Sequence, residues 1–285
     1  MKLAAKIGIV LSVLLILALS AILVAQLVLF SRTAADRQPF SGGVGILYSD
    51  AETYRAGDTE IPAADLSEID IHWIAGKVQI EIYDGTSVVL SETGAEKDED
   101  RLRWRVKDGE LTVQWRKSER FSVVDTLTKD LTVRIPRTMV LRELDIESVS
   151  AGIFIPEISV SDELSLETVS GNIQIGSLSA DKLDVSTVSG NTECSGAVPE
   201  ISWESVSGSL TMTDTVYPRE IKGESVSGDL DLKLPDGGFT LKASTGGEVS
   251  CDVGTVKNGK LQVYGDGRTQ ISFHSVSGRL TLRTQ

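Results

Sequence analysis

The chain has 285 residues, a formal net charge of −13, two cysteines and two histidines. With 41% hydrophobic and 24% charged residues, it is neither a disordered polymer nor a protein wholly embedded in a membrane. Aromatic residues make up only 5%, which favours strands and tight turns over thick helical packing.

Between residues 7 and 30 there is no charge, and Ser12, Ser20 and Gln26 are the only polar side chains. As a helix, such a run spans about 36 Å, enough to cross the hydrocarbon core of a bilayer. Lys2 and Lys6 precede it, whereas Arg32 and Arg37 are mixed with Asp36 after it. The positive-inside rule therefore makes residues 1–6 a cytoplasmic N-terminus, residues 7–30 a single-pass anchor, and the rest extracytoplasmic. A cleaved signal peptide is the alternative, with Thr33-Ala34-Ala35 as a weak cleavage site, but signal cores are usually about 7–15 residues long. Beyond residue 35 the chain holds 25 bases against 41 acids, a net of −16. That balance repels polyanions, so nucleic acid is not an expected partner.

Residues 31–65 contain Ser41-Gly42-Gly43 and Ala56-Gly57-Asp58 and read as a linker or stalk. Residues 66–135 read as a divergent N-terminal β cap. Ala75-Gly76 precedes Val78 and Ile80, and Leu102, Trp104 and Val106 alternate with Arg101, Arg103 and Arg105. With Lys107, Arg116, Lys117 and Arg120 this cap is locally basic, and Trp104 and Trp115 fall in its apolar phase.

Residues 136–285 are a repeat stack. The phrase Ser/Thr-Val-Ser-Gly recurs with its last position at Ala151, Gly171, Gly190, Gly208, Gly228, Gly247 (degenerate) and Gly278. Successive positions are 20, 19, 18, 20, 19 and 31 residues apart, the last interval holding a turn or hairpin around Asn258-Gly259. Apolar residues alternate on both sides, as in Leu164 and Leu166 before Gly171 and Ile173 and Ile175 after it. Each repeat is thus two short strands with one buried face around a corner, where glycine is expected to tolerate unusual backbone angles. One such unit cannot bury its apolar face alone. The fold class is all-β: a β-solenoid-like stack of about 19-residue two-strand repeats, with coils about 4.8 Å apart, preceded by one transmembrane helix. In chain order Cys194 and Cys251 lie three coils apart, roughly 14 Å, too far for a disulfide. They read as small buried hydrophobes.

The serines lack a nucleophile's setting, because the two histidines, His72 and His274, lie in distant repeats and no Gly-x-Ser-x-Gly elbow or phosphate-binding loop occurs. Hydroxyls at a repeated corner are expected to bond backbone groups along a ladder. One array stands out. Glu147, Glu167, Glu204 and Glu224 each lie four residues before a corner position, with Ser186 interrupting the column and Ala243 and His274 replacing it later. Stacked in register, they form a candidate binding surface for a divalent cation or a cationic peptide; the plainer alternative is a solvated face. No catalytic, cofactor-binding or metal residue is assigned.

An N-terminal anchor, Leu131-Thr132-Val133-Arg134-Ile135-Pro136 ahead of the repeats, the serial corners, and Tyr264-Gly265-Asp266-Gly267 before the last corner together resemble a bacterial family. It is the "putative adhesin" β-strand-repeat group of toastrack domains, which includes LiaG-like envelope proteins; the likeness covers about residues 66–285. The resemblance implies a strand rack without a catalytic signature, associated with cell-envelope stress systems. The leading expectation is a non-enzymatic, membrane-anchored extracytoplasmic scaffold or sensor. Its partners would be the membrane, through the N-terminal helix, and an envelope protein, a wall polymer or a second copy paired at a strand edge. A surface adhesin for glycan or protein is one alternative, but it predicts exposed aromatic platforms, whereas Trp203 and Phe273 fall in inward phase. A polysaccharide-acting β-helix enzyme using Glu147, Glu167 and Glu224 is the other.

Overall fold

A computed structural model describes residues 44–121, 127–254, 256–257 and 259–284. The expected span at residues 7–30 lies outside them. No helix among the described residues is long and apolar enough to cross a membrane.

Each repeat delivers one arm to each of two sheets, of 12 and 11 strands. The first arms Glu143–Ser148, Glu163–Thr168, Lys182–Thr187, Glu200–Ser205 and Glu220–Ser225 run parallel and in register in the larger sheet. The second arms Gly152–Ser159, Ile173–Ser179, Thr192–Ala197, Leu210–Asp214 and Leu230–Leu234 also run parallel in the other, with one register shift between Ile175 and Leu178 where Ile173–Ser179 meets Thr192–Ala197. Period-two alternation points Leu164, Leu166, Ile173 and Ile175 inward, and their equivalents in neighbouring rungs join one continuous core. Each such side chain contributes about 1.5–3 kcal/mol when buried, so the fold is stabilised by stacking rather than by any single rung.

Several corners share a hydrogen-bond scheme, though Ser205 Oγ is unpaired among the described residues and Ser225 Oγ donates to the Gly228 carbonyl at 2.8 Å. The backbone N–H of Gly171 donates to Thr168 Oγ1 at 2.9 Å, that of Gly190 to Thr187 Oγ1 at 2.8 Å, and that of Gly278 to Ser275 Oγ at 2.8 Å. The third-position hydroxyls reach back one rung: Ser170 donates to the Val149 carbonyl at 3.3 Å, Ser189 to Val169 at 3.2 Å, and Ser207 to Val188 at 3.2 Å. The hydroxyl ladder expected from the sequence is therefore present. The expected reason for glycine is not. Among the described glycines, positive φ occurs at Gly57, Gly76, Gly94, Gly109, Gly259, Gly265 and Gly267, none of them a repeat corner. A Cβ on Gly171, Gly190, Gly208 or Gly228 would instead lie 1.9–2.0 Å from the carbonyl oxygen of the corner one rung back. Close approach between rungs, not backbone handedness, demands glycine there.

Toward the N-terminus the parallel stack turns antiparallel. Gly76–Tyr83 pairs in parallel with Lys129–Pro136, which continues antiparallel into Ser87–Thr93 and Thr59–Pro62. In the larger sheet, Glu68–Trp73 is followed by Glu110–Gln114, Arg103–Lys107 and Arg55–Ala56. The reading of residues 31–65 as a linker is thus corrected: Arg55–Ala56 and Thr59–Pro62 are edge strands. Only Ile61 is buried in them, too brief an alternation to register in the sequence. Inside the cap, the fully buried Lys129 ammonium donates to Glu92 Oε2 at 2.7 Å and sits 4.8 and 5.0 Å from the ring centroids of Trp73 and Trp115. Trp115 is core as expected, whereas Trp104 is only partly buried.

At the other end the rungs depart from chain order. The last repeat, Thr269–Ser275 with Leu280–Thr284, inserts between the Glu220–Leu234 rung and the earlier-sequence pair Phe239–Ser244 and Val249–Cys251. This places Phe273 beside Gly223, which lies between it and Trp203 in register, so the missing side chain makes room for two large rings. The more apolar rung thereby takes the interior. The short strands Val249–Cys251 and Leu261–Tyr264 take the edges.

Candidate functional site

The alternation that buries one face of each first arm presents the other to solvent. Register places His72, Glu147, Glu167, Ser186, Glu204, Glu224, His274 and Ser244 in one column along the larger sheet. The four predicted glutamates are therefore brought together as two adjacent pairs, Glu147 with Glu167 and Glu204 with Glu224, separated by Ser186. Sequence spacing points to Ala243 for this column, but it is buried beside Phe273; Ser244 takes the place, because the degenerate corner is one residue shorter.

Two further acidic columns run beside it on the side away from the corners, and spacing counted from the corners does not reveal them. One holds Asp70, Asp145 and Asp184; the other holds Glu68, Glu143, Glu163, Glu200 and Glu220. Their signal lay in the outward positions of phrases such as Glu143-Leu144-Asp145-Ile146-Glu147. The outermost column is neutralised by its own bases. Arg142 bridges Glu68 and Glu143, Lys182 bonds Glu163 at 2.8 Å, Arg219 bonds Glu200 at 2.7 Å, and Lys222 bonds Glu220 at 2.7 Å. The corner-side column has His72 on Glu147. Among the described residues no lysine or arginine forms an ion pair with Glu167, Glu204 or Glu224, and only the more distant charge of His72 reaches Glu167.

Electrostatics follow from this arrangement. His72 bonds both Glu147 and Asp70 at 3.0 Å. Burial by itself would lower its pKa, but the two carboxylates carry it up to about 10, so the ring is an imidazolium donating from both nitrogens. Burial and the charges of Asp70, Glu147 and Glu167 push Asp145 up to about 7. Burial, reinforced by neighbouring carboxylates, also raises Glu167 and Glu204. The face therefore holds charge above its comfortable density and gains from any cation brought to it.

Other candidate chemistry is dispersed. Among the described residues no group of three or more His, Cys, Asp or Glu side chains is arranged to hold a metal ion. Two grooves among the described residues lie away from the acidic columns. One groove, of about 240 Å³, is lined by Ile82, Ile135, Met139 and Ile158 with Arg137 and Glu157. The other is lined by polar residues including Asn172, Asn191 and Glu193. Trp203 and Phe273 are buried, as their phase predicted. The cap's arginines are largely consumed within it: Arg103 pairs with Asp98 at 3.1 Å, and Arg116 with Asp100 at 2.8 Å. Cys194 is buried, and burial pushes its thiol up to about 12. Because the last rung inserts, Cys251 lies four strands from it rather than three, about 19 Å at strand spacing.

Comparison with known proteins agrees with this architecture. The sequence matches the Toastrack DUF4097 family over residues 65–198 and again over 155–283. Among solved structures, the chain is similar to a "putative adhesin" from Bacteroides fragilis, at 16% identity and a TM-score of 0.45, covering 86% of this chain and 100% of that one. It is also similar to a "putative cell adhesion protein" from Clostridium sporogenes (14% identity, TM-score 0.35, 81% and 100% covered). A "putative lipid binding protein" from Parabacteroides distasonis is matched at 15% identity and a TM-score of 0.36, with 81% and 96% covered. No curated protein matches the sequence. Two overlapping matches that together span the cap and every repeat place the chain in the Toastrack DUF4097 family.

Proposed function

We propose that this chain is a non-enzymatic scaffold of the cell envelope, anchored by residues 7–30 with its strand rack outside the membrane. It works by docking a cationic segment of an envelope partner along the corner-side carboxylates. The observation that carries this reading is the contrast between columns: the outermost glutamates have bases of their own, while Glu167, Glu204 and Glu224 stand in register without one among the described residues. A lysine-rich strand or loop laid across the rungs would meet carboxylates at strand spacing and relieve their mutual repulsion. Carboxylates spread along one sheet face at strand spacing suit docking of an extended cationic segment.

The test is binding of a lysine-rich peptide, against its glutamine-for-lysine counterpart, to the full chain and to Glu167→Gln/Glu204→Gln/Glu224→Gln. Affinity for the lysine peptide is expected to fall about tenfold or more in the triple variant and to weaken with salt. Equal affinity for both proteins would overturn the docking role. Protease accessibility in intact cells tests the anchoring: digestion down to the membrane span supports it, and full protection until lysis refutes it.

A further inference from the structure

On the smaller sheet, just beyond the corners, three successive rungs frame the polar groove, of about 370 Å³. Asn172, Asn191 and Ser209 line it, together with the outward residues Gln174, Glu193 and Thr211, which share one register column. The asparagines are fixed by the backbone. The N–H of Asn191 donates to Asn172 Oδ1 at 3.0 Å, and that of Ser209 donates to Asn191 Oδ1 at 3.0 Å. Each amide thus gives its carbonyl oxygen to the ladder and keeps its NH2 group for another partner. Among the described residues no acceptor takes those NH2 groups, and both asparagines are exposed. Ser209 Oγ accepts from the Asp229 N–H at 3.2 Å, which leaves its own proton to donate. The floor adds Thr192, 2% exposed, in an inward column between Ile173 and Leu210. Its hydroxyl is buried and bonds nothing among the described residues, an arrangement that draws a polar group to the groove.

We propose that this groove binds a neutral oligosaccharide. The two amides are donors set at strand spacing, about 4.8 Å, and the Glu193 carboxylate accepts from hydroxyl groups. None of the described residues lining the groove is a lysine or arginine, so an anion gains nothing there. A cation meets one carboxylate here and whole columns of them on the other sheet. A lining this polar offers little to an apolar molecule. What remains is an uncharged ligand rich in hydroxyls. One rung toward the cap, Phe154 stands in the same column as Gln174 and is 36% exposed. Lys77, on the cap-side strand Gly76–Tyr83, sets its ammonium 5.2 Å from the ring centroid and holds the ring. An exposed ring beside fixed amides and a carboxylate suits a sugar, whose C–H face packs on the ring while its hydroxyls reach the polar groups. The exposed aromatic that glycan binding asks for therefore lies on a second arm, where the inward phase of Trp203 and Phe273 gives no sign of it. This site is on the opposite sheet from the acidic columns and does not depend on what they bind.

The test applies the full chain, in a detergent without a sugar head group, to an array of neutral β-glucan, chitin, mannan and galactan oligosaccharides with uronate-bearing controls. Retention on at least one neutral glycan is expected, with an affinity that does not change with salt, because the ligand carries no charge. Gln174→Ala/Glu193→Ala should weaken that affinity about tenfold or more, and so should Phe154→Ala, each with an unchanged circular-dichroism spectrum. Lys233→Ala, exposed on the same sheet but outside the groove, should bind as the parent does. A chain retained on no neutral glycan would overturn the proposal. So would a preference for the uronates, an affinity that falls steeply with salt, or parent-like binding by either groove variant.

Discussion

His72 Nδ1 lies 3.0 Å from Glu147 Oε2 while its Nε2 lies 3.0 Å from Asp70 Oδ2, so one imidazolium ties the cap to the first regular rung. The strands involved, Glu68–Trp73 and Glu143–Ser148, pair in parallel across 75 residues of sequence. The contact stands where the acidic columns begin.

The His72 pKa is raised to about 10 in the fold. A raised pKa contributes stability that is fully present below the unfolded value, about 6.5, and is lost as pH rises through the folded one. His72→Gln is therefore expected to cost about 1–3 kcal/mol near pH 6. The gap between variant and parent should close toward pH 10, followed as the urea midpoint at a series of pH values. A gap that does not change with pH would show that His72 acts only by packing.

Asp145 makes a prediction of the opposite kind. Burial and its acidic neighbours raise its pKa to about 7, so the proton-linked stability is present at low pH and lost as pH rises from about 4 through 7. Asp145→Asn should stabilise the chain by about 1–2 kcal/mol above pH 7 and by almost nothing near pH 4. Thermal unfolding at the two pH values reads this directly, and destabilisation at both would contradict the assigned charge state.

The corner glycines can be separated from ordinary ones by a single methyl group. At Gly190 a Cβ would meet the Gly171 carbonyl at 2.0 Å, whereas at Gly152 the nearest atom is the Asn172 carbonyl at 3.7 Å. Gly190→Ala should cost about 2–4 kcal/mol, because two backbones must part, and Gly152→Ala should stay within about 0.5–1 kcal/mol of the parent. Chemical denaturation of the two variants side by side checks the contrast.

Lys129 tests the cap interior. Burial lowers its pKa, while Glu92 opposes the shift. Lys129→Met leaves the Glu92 carboxylate, 4% exposed, without its cation and should cost about 3–5 kcal/mol. Lys129→Met/Glu92→Leu should recover most of that loss, since both charges are then gone. A double variant no more stable than the single one would mean that the ammonium's contacts with Trp73 and Trp115, rather than the ion pair, hold the cap together.

Much of this was legible in the sequence because strands obey a local rule. Successive side chains of a strand face opposite ways, so Leu164, Leu166, Ile173 and Ile175 declare their burial, and Glu147, Glu167, Glu204 and Glu224 their shared face, from spacing alone. The bonds from the corner N–H groups to Thr168, Thr187 and Ser275 are equally local, spanning three residues within a repeat. Only the tertiary structure decided which rung sits beside which. Thr269–Ser275 lies between strands that precede it in the chain, because interior placement buries Phe273 against Gly223 while the edge asks less of Leu261 and Cys251. The same holds for Arg55–Ala56 and Thr59–Pro62, too short to alternate visibly, and for His72, whose place in the acidic column depends on pairing with a strand far along the chain. Periodicity along a chain determines which face a residue takes; the free energy of packing distant segments determines its neighbours.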